Sequence, residues 1–113
     1  MDLLQIQMKA LGLPIPEKEY RFHATRRWKT DYFFPNVVSG RPLAVEIEGG
    51  IWIKGKSGRG GAHSLPSNII RDMEKSNAMS IMGIALLRFT PTQVQNGEAA
   101  MKIKEWFDAR VTI

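Results

Sequence analysis

The sequence contains no cysteine, and this absence excludes two kinds of protein. Without thiols, the 113-residue chain can form neither a disulfide framework nor a metal site with thiolate ligands. Such a composition fits a reducing compartment. We therefore expect a soluble protein of the cytoplasm.

Several other signals are also missing. No apolar run approaches the length of a membrane span, and the first residues lack the layout of a signal peptide. The glycine-rich segment 54–64 lacks the G-x-x-x-x-G-K-[ST] order of a P-loop, so we expect no nucleotide cofactor. No helix-turn-helix or zinc-finger spacing supports a transcription regulator.

The charge of the chain is positive. Sixteen lysines and arginines stand against eleven aspartates and glutamates, giving a net charge of +5. A basic surface favours a polyanionic partner. The length fits one domain with a single hydrophobic core, and we assign residues 1–113 to it.

A small group of acids is conspicuous in this basic chain. In segment 43–48 apolar and acidic residues alternate, so Glu46 and Glu48 point to the same face of a predicted strand. Asp31 lies in the preceding aromatic strand, and turn residues at 35–42 suit a hairpin between the two. If these strands pair, three acids converge near one end of the sheet.

Crowded carboxylates repel one another, and this repulsion favours raised pKa values or a bound cation. Oxygen ligands with room left for water suit Mg²⁺. The alternative is that Glu46 and Glu48 form the solvated face of an amphipathic strand.

The remaining elements follow from periodicity and stop signals. Helices are predicted at 2–11, 67–82 and 98–110, and further strands at 17–25 and 84–90. These give an α/β fold, a small central mixed sheet flanked by helices in the order α-β-β-β-α-β-α. The first helix is apolar on more than one face, which suits either a dimer contact or a cap on the core.

The helix at 67–82 carries an apolar stripe that includes Ile70, Met73 and Ile81. Asn77 lies on this stripe, so we expect it to be buried and to tie the helix to the sheet by hydrogen bonds. Asp72, Lys75 and Met79 lie along a second stripe.

The order of these features resembles the PD-(D/E)XK nuclease superfamily, which has the restriction-endonuclease-like fold. The resemblance covers about residues 19–91 and is to small phage and bacterial members, a group with Holliday junction resolvases, VRR-NUC proteins and relatives of the very-short-patch repair endonuclease. In that pattern an Asp begins one strand, a Glu follows on the next, and a third residue stands two places on. Here these are Asp31, Glu46 and Glu48. Glu48 stands where the family usually has Lys.

The resemblance implies a metal site and a division of roles. Asp31 and Glu46, with the backbone carbonyl of Ile47, would hold Mg²⁺, for which Mn²⁺ could substitute, and Glu19 is a candidate fourth acid. Glu48 would orient or deprotonate the attacking water. Lys75 would supply the missing cation from the helix, and the alternative is that it makes weak pairs with acids on the helix surface.

Basic residues surround the acids in the sequence and are candidates for contacts with DNA phosphates. They are Arg26, Arg27, Lys29, Lys54, Lys56, Arg59, His63 and Arg88. The first three could equally protect a strand edge, for which Lys and Arg are common. Arg88 interrupts an apolar strand, so it either pairs with an acid or reaches the substrate.

The function implied by the resemblance is Mg²⁺-dependent hydrolysis of phosphodiester bonds in DNA, leaving a 5′-phosphate and a 3′-hydroxyl. A domain this small has no module for reading bases, which favours recognition of DNA shape. We therefore expect a structure-selective endonuclease that cuts branched DNA, a Holliday junction resolvase acting as a homodimer in a bacterial or phage-infected cell. The alternatives are a nicking or flap-processing nuclease of phage or repair DNA metabolism, and a non-catalytic DNA-binding module.

Overall fold

A computed structural model of the chain describes residues 1–35, 41–49 and 67–111. Its elements, in chain order, are α1 (Leu3–Ala10), β1 (Glu17–Arg21), β2 (Lys29–Phe34), β3 (Leu43–Ile47), α2 (Ser67–Ile81), β4 (Ala85–Phe89), α3 (Pro91–Gln95) and α4 (Glu98–Val111). The predicted element order is confirmed, and α3 is an additional helix. The strand expected to reach residue 25 ends at Arg21. None of the described helices is long and apolar enough to cross a membrane.

The four strands form one mixed sheet in the order β1-β2-β3-β4. The pairs β1/β2 and β2/β3 are antiparallel, whereas β3 and β4 are parallel. A parallel pair needs a crossover connection, and α2 lies in that connection. The protein is thus an α/β protein with a four-stranded mixed sheet flanked by helices.

One side of the sheet, which we call the α1/α4 face, carries the larger hydrophobic core. Its buried residues are Leu4, Met8, Tyr32, Phe34, Leu43, Val45, Ala85, Phe89, Ala99, Ala100, Ile103 and Phe107. The rings of Phe34 and Phe107 meet edge to face, with centroids 5.1 Å apart. Alternation along β2 and β3 sends every second side chain into this core, which explains its continuity.

The opposite side, which we call the α2 face, carries a smaller cluster. Its buried members are Phe22, Phe33, Ala44, Met79 and Ile84. Tyr20 stacks on Phe33 with ring centroids 4.3 Å apart. Near one end of the sheet this face also carries charged side chains, among them Glu46 and Lys75.

The predicted inward stripe of α2 was wrong. Asn77 is exposed, and so are Met73 at 53% and Ile81 at 85% of their surface. The face of α2 that meets the sheet instead carries Lys75 and Met79, which are one helical turn apart. The helix has two partly apolar stripes. The stripe with Met79 is the buried one, and on it Lys75 forms an ion pair with Glu46.

The predicted helix bounds differ from the observed ones by at most one residue. Asp2 caps α1, accepting a hydrogen bond from the Gln5 backbone N–H at 2.9 Å, and the Gln5 side chain accepts one from the Asp2 backbone N–H. Gly12 follows α1 and Gly83 follows α2, with φ of +76° and +77°, a region in which glycine is unstrained.

Candidate functional site

The strand register brings the two predicted metal ligands together. Tyr32 pairs with Val45 in the antiparallel β2/β3 ladder, and extending that register by one residue places Asp31 opposite Glu46. Directly opposed residues share a face, here the α2 face with Phe33 and Ala44. On the other side of β3, Glu46 pairs with Arg88 in the parallel ladder.

Glu46 is the buried centre of this row. It is 7% exposed, and its carboxylate forms an ion pair with the Lys75 ammonium. Its Oε2 atom is buried and, apart from this ion pair, has no hydrogen-bond partner among the described residues. Burial raises the pKa of Glu46, the negative charges of Glu48 and Asp31 raise it further, and Lys75 opposes the shift.

Asp31 is held toward β3 by a backbone contact. Its Oδ2 atom accepts a hydrogen bond from the Ile47 backbone N–H at 2.8 Å. The Ile47 carbonyl accepts a hydrogen bond from the Gly49 N–H at 3.1 Å, and a carbonyl oxygen keeps a second lone pair. Both groups proposed beside Glu46 as metal ligands are therefore ordered by contacts within or beside β3.

Glu48 has a different partner from Glu46. Arg88 donates from Nε to Glu48 Oε2 at 2.8 Å and from Nη2 to Asp72 Oδ2 at 2.9 Å. The bond to Glu48 is the main reason why the pKa of Arg88 is raised, and Asp72 adds to the shift. Arg88 thus pairs with acids, and through Asp72 it joins β4 to α2.

The described side chains offer Mg²⁺ a pair of carboxylates and no group of three ligands. Within residues 1–35, 41–49 and 67–111, no three His, Asp or Glu side chains are grouped so that they could hold a metal ion, so Asp31, Glu46 and Glu48 do not form the expected three-acid group. Asp31 and Glu46 remain as two carboxylates on adjacent strands, which matches the usual protein contribution to a Mg²⁺ site completed by water and phosphate. Lys75 already contacts Glu46, so a cation there would share or replace that contact.

Glu19, the candidate fourth acid, lies on the edge strand. The β1/β2 register places it opposite Asp31, and its φ is +53°, in the left-handed region that is unusual for a glutamate. Its side chain is exposed, and no hydrogen bond or ion pair joins it to another described residue. Nothing in the sequence indicated this backbone conformation.

Of the predicted DNA contacts, Arg26, Arg27 and Lys29 are exposed on and before β2. The Arg26 guanidinium lies over the Trp28 ring, 4.0 Å from its centroid, and Arg26 Nη2 lies 3.3 Å from Glu74 Oε1. Four other predicted contacts, Lys54, Lys56, Arg59 and His63, lie outside the described residues.

Sequence reasoning missed three residues near the site. Asp72 shares Arg88 with Glu48, while Trp28 and Arg71 line open cavities beside Lys75. The spacing of Arg71 and Lys75, four positions apart on a helix, was a signal that both could point to the same side.

Comparisons of the chain with protein-family models, with curated proteins and with solved structures found no match. The function of the chain is therefore inferred from the geometry of the site.

Proposed function

We propose that this chain is a Mg²⁺-dependent, structure-selective DNA endonuclease with a restriction-endonuclease-like core, and specifically a Holliday junction resolvase. The observation that carries the proposal is the pair Asp31 and Glu46 on adjacent strands, with the Lys75 ammonium against Glu46. An antiparallel β1-β2-β3 unit followed by a crossover helix and a parallel β4 supports the same proposal.

In this proposal each side chain has one task. Asp31 and Glu46, with the Ile47 carbonyl, would hold Mg²⁺ or Mn²⁺, and the bound ion would neutralise the charge that builds up on the phosphate. Glu48, once released by Arg88, orients or deprotonates the attacking water. Lys75 exchanges its contact with Glu46 for one with the scissile phosphate. The products are a 5′-phosphate and a 3′-hydroxyl.

The test is cleavage of a labelled four-way junction, a linear duplex and a flap, each with Mg²⁺, Mn²⁺ or EDTA. We expect Mg²⁺-dependent cutting of the junction, which Glu46→Ala and Asp31→Asn each lower by about 100-fold or more because charge stabilisation is lost. Glu105→Gln is the matched control, since Glu105 is an exposed acid on α4. Equal cutting of the linear duplex would contradict junction selectivity, and preferential cutting of the flap would replace the resolvase with a flap nuclease.

Paired cleavage of a junction also needs two active sites. We expect the protein to be a homodimer when bound to the junction, so that its two sites act on opposite strands. Light scattering with and without the junction measures this directly. A chain that stays monomeric on the junction would rule out the paired mechanism.

A non-catalytic DNA-binding module is the second candidate, and one observation favours it. Lys75 and Arg88 already pair with Glu46, Glu48 and Asp72, which is what a purely structural set of acids would show. Junction binding that is unaffected by EDTA, without cutting in any metal, would establish this candidate.

A further inference from the structure

Two open cavities meet beside the candidate site and share Trp28 and Arg71. The outer cavity, of about 470 Å³, is lined by Thr25, Arg26, Arg27, Trp28 and Arg71. The inner cavity, of about 180 Å³, is lined by Trp28, Asn68, Arg71, Asp72 and Lys75. We call the two together the Trp28 groove. It leads from a group of arginines to the ammonium that contacts Glu46.

The outer end of the groove has uncompensated positive charge. Arg27 and Arg71 are exposed, and neither makes an ion pair within the described part of the chain. Asp72, the acid at the inner end, is paired with Arg88. Arginines that are not held by protein carboxylates are available for bidentate contacts with phosphate.

The wall of the groove is ordered by contacts within the chain. His23 Nδ1 accepts hydrogen bonds from the backbone N–H groups of Thr25 at 3.2 Å and Arg26 at 3.0 Å. Trp28 is half-buried and packs beside Phe22, with ring centroids 6.2 Å apart and planes 13° from parallel. The Arg26 guanidinium lies over this fixed indole, and its side chain remains 47% exposed.

An indole with a guanidinium over it is a surface on which a nucleobase can stack. Only an unpaired base exposes its face for such stacking, because a paired base is covered by its neighbours in the duplex. The cavities have the size of small-molecule sites, which is too small to enclose a duplex. Base stacking and phosphate contact at this scale fit one or two nucleotides of a single strand.

We propose that the Trp28 groove binds a single-stranded segment of DNA, with an unpaired base stacked on Arg26 over Trp28 and neighbouring phosphates on Arg27 and Arg71. This inference deepens the proposed function and rests on it in one respect, namely that the bound strand continues to the cleaved bond beside Glu46. The nucleotides next to that bond, at the branch point of the junction, would then be unpaired when the strand lies in the groove. Arg71 and Trp28 gain a role in choosing the substrate.

The test measures binding without cleavage. Fluorescence anisotropy in EDTA gives the affinity of the protein for a labelled single-stranded oligonucleotide, for the same oligonucleotide with abasic positions, and for a blunt duplex. We expect the intact single strand to bind most tightly. Arg26→Ala, which removes the guanidinium plane on which the base is proposed to stack, and Arg71→Ala, which removes a phosphate contact, should each weaken it by about 10-fold. Lys102→Ala, which removes one exposed cation on α4, should change it by less than about twofold.

Arg26→Lys keeps the charge and removes the planar surface, so it should lose discrimination between the intact and the abasic strand. Both arginines are exposed, so we expect the variants to fold, and circular dichroism checks this. Equal binding of intact and abasic strands by wild type, equal binding of single strand and duplex, or no effect of Arg71→Ala would each overturn the proposal.

The experiments distinguish failure of the proposed function from failure of the groove proposal. If Glu46→Ala and wild type both fail to cut but both retain groove-dependent binding, the nuclease assignment falls and the groove stands. If wild type cuts DNA and Arg71→Ala leaves single-strand binding unchanged, the groove assignment falls and the nuclease stands.

Discussion

The two faces of the sheet differ in what holds them together. Among the residues that the structure describes, twelve buried apolar or aromatic ones form one continuous cluster on the α1/α4 face. Five described residues form a smaller buried cluster on the α2 face, where the sheet end is occupied by the ion pair of Lys75 and Glu46. Burial of apolar surface stabilises the fold without requiring a particular geometry, whereas a buried ion pair recovers its desolvation cost only when its geometry is good. We therefore expect the α1/α4 face to provide most of the stability and the α2 face to tolerate charged groups.

The largest effect should come from removing the same side chain on each face in turn. Ile103→Ala acts on the α1/α4 face and Ile84→Ala on the α2 face, where the residues are 0% and 5% exposed. Such truncations lower the free energy of unfolding by about 2–5 kcal/mol. We expect Ile103→Ala at the upper end of this range and Ile84→Ala at the lower end, because the residues of the larger cluster can collapse less into the cavity that is left. Urea denaturation measures both. Equal losses would show that the two faces contribute alike.

A smaller effect, dependent on pH, is expected from Lys75→Met. At pH 8 the Glu46 carboxylate loses its ion-pair partner, and we expect the free energy of unfolding to fall by about 1–3 kcal/mol. Since the pKa of folded Glu46 is raised above its ordinary value of 4.5, folded Glu46 keeps a proton that the unfolded chain releases. Stability therefore declines as pH rises from 4.5 through the folded pKa.

Lys75 opposes this rise in pKa, so the window over which stability declines should widen in Lys75→Met. The variant should consequently be closer to wild type at pH 4.5 than at pH 8. The double variant Glu46→Gln/Lys75→Met has no titrating group at this position and is the control. A loss in Lys75→Met that is the same at both pH values would mean that Glu46 does not govern it.

The smallest effect is expected from Met73→Gln, which together with Met79→Gln tests which stripe of α2 faces the sheet. Met73 is 53% exposed and Met79 is 1% exposed on the same helix. We expect Met73→Gln to change the free energy of unfolding by less than about 0.5 kcal/mol. Met79→Gln should be clearly destabilising, because it buries an amide without a partner. The opposite order in thermal unfolding would restore the stripe of Ile70, Met73 and Ile81 to the interior.

Local patterns predicted the elements well. Period-two alternation located β3, and a hairpin between two such strands predicted the antiparallel β2/β3 ladder with Asp31 near Glu46. Asp2 and Gly12 were sufficient for α1, since capping depends only on neighbouring residues. These features depend on residues that are close together in the sequence, so sequence patterns are sufficient to predict them.

One local signal was overlooked. Thr90-Pro91 with Gln93 is a capping box with proline at the first helical position, and it begins α3. No element is predicted from the sequence between the strand at 84–90 and the helix at 98–110, although this capping box lies within four consecutive residues.

The tertiary contacts could not be read in this way. The inward face of α2 depends on how a helix with two partly apolar stripes rests on the sheet, and propensity does not decide between them. Sequence left open whether Arg88 pairs with an acid or reaches the substrate, and the answer depends on Asp72 of α2 lying within 2.9 Å of it. The left-handed Glu19 has no residue-type signal, because that conformation is usual for glycine.

The parallel pairing of β3 with β4 sets the electrostatic balance at this end of the sheet. It places Arg88 beside Glu46, so that among the described residues two cations, Lys75 and Arg88, stand among four carboxylates. Those carboxylates are Asp31, Glu46, Glu48 and Asp72. When all six of these described groups are ionised, their net charge is −2, in a chain whose overall charge is +5.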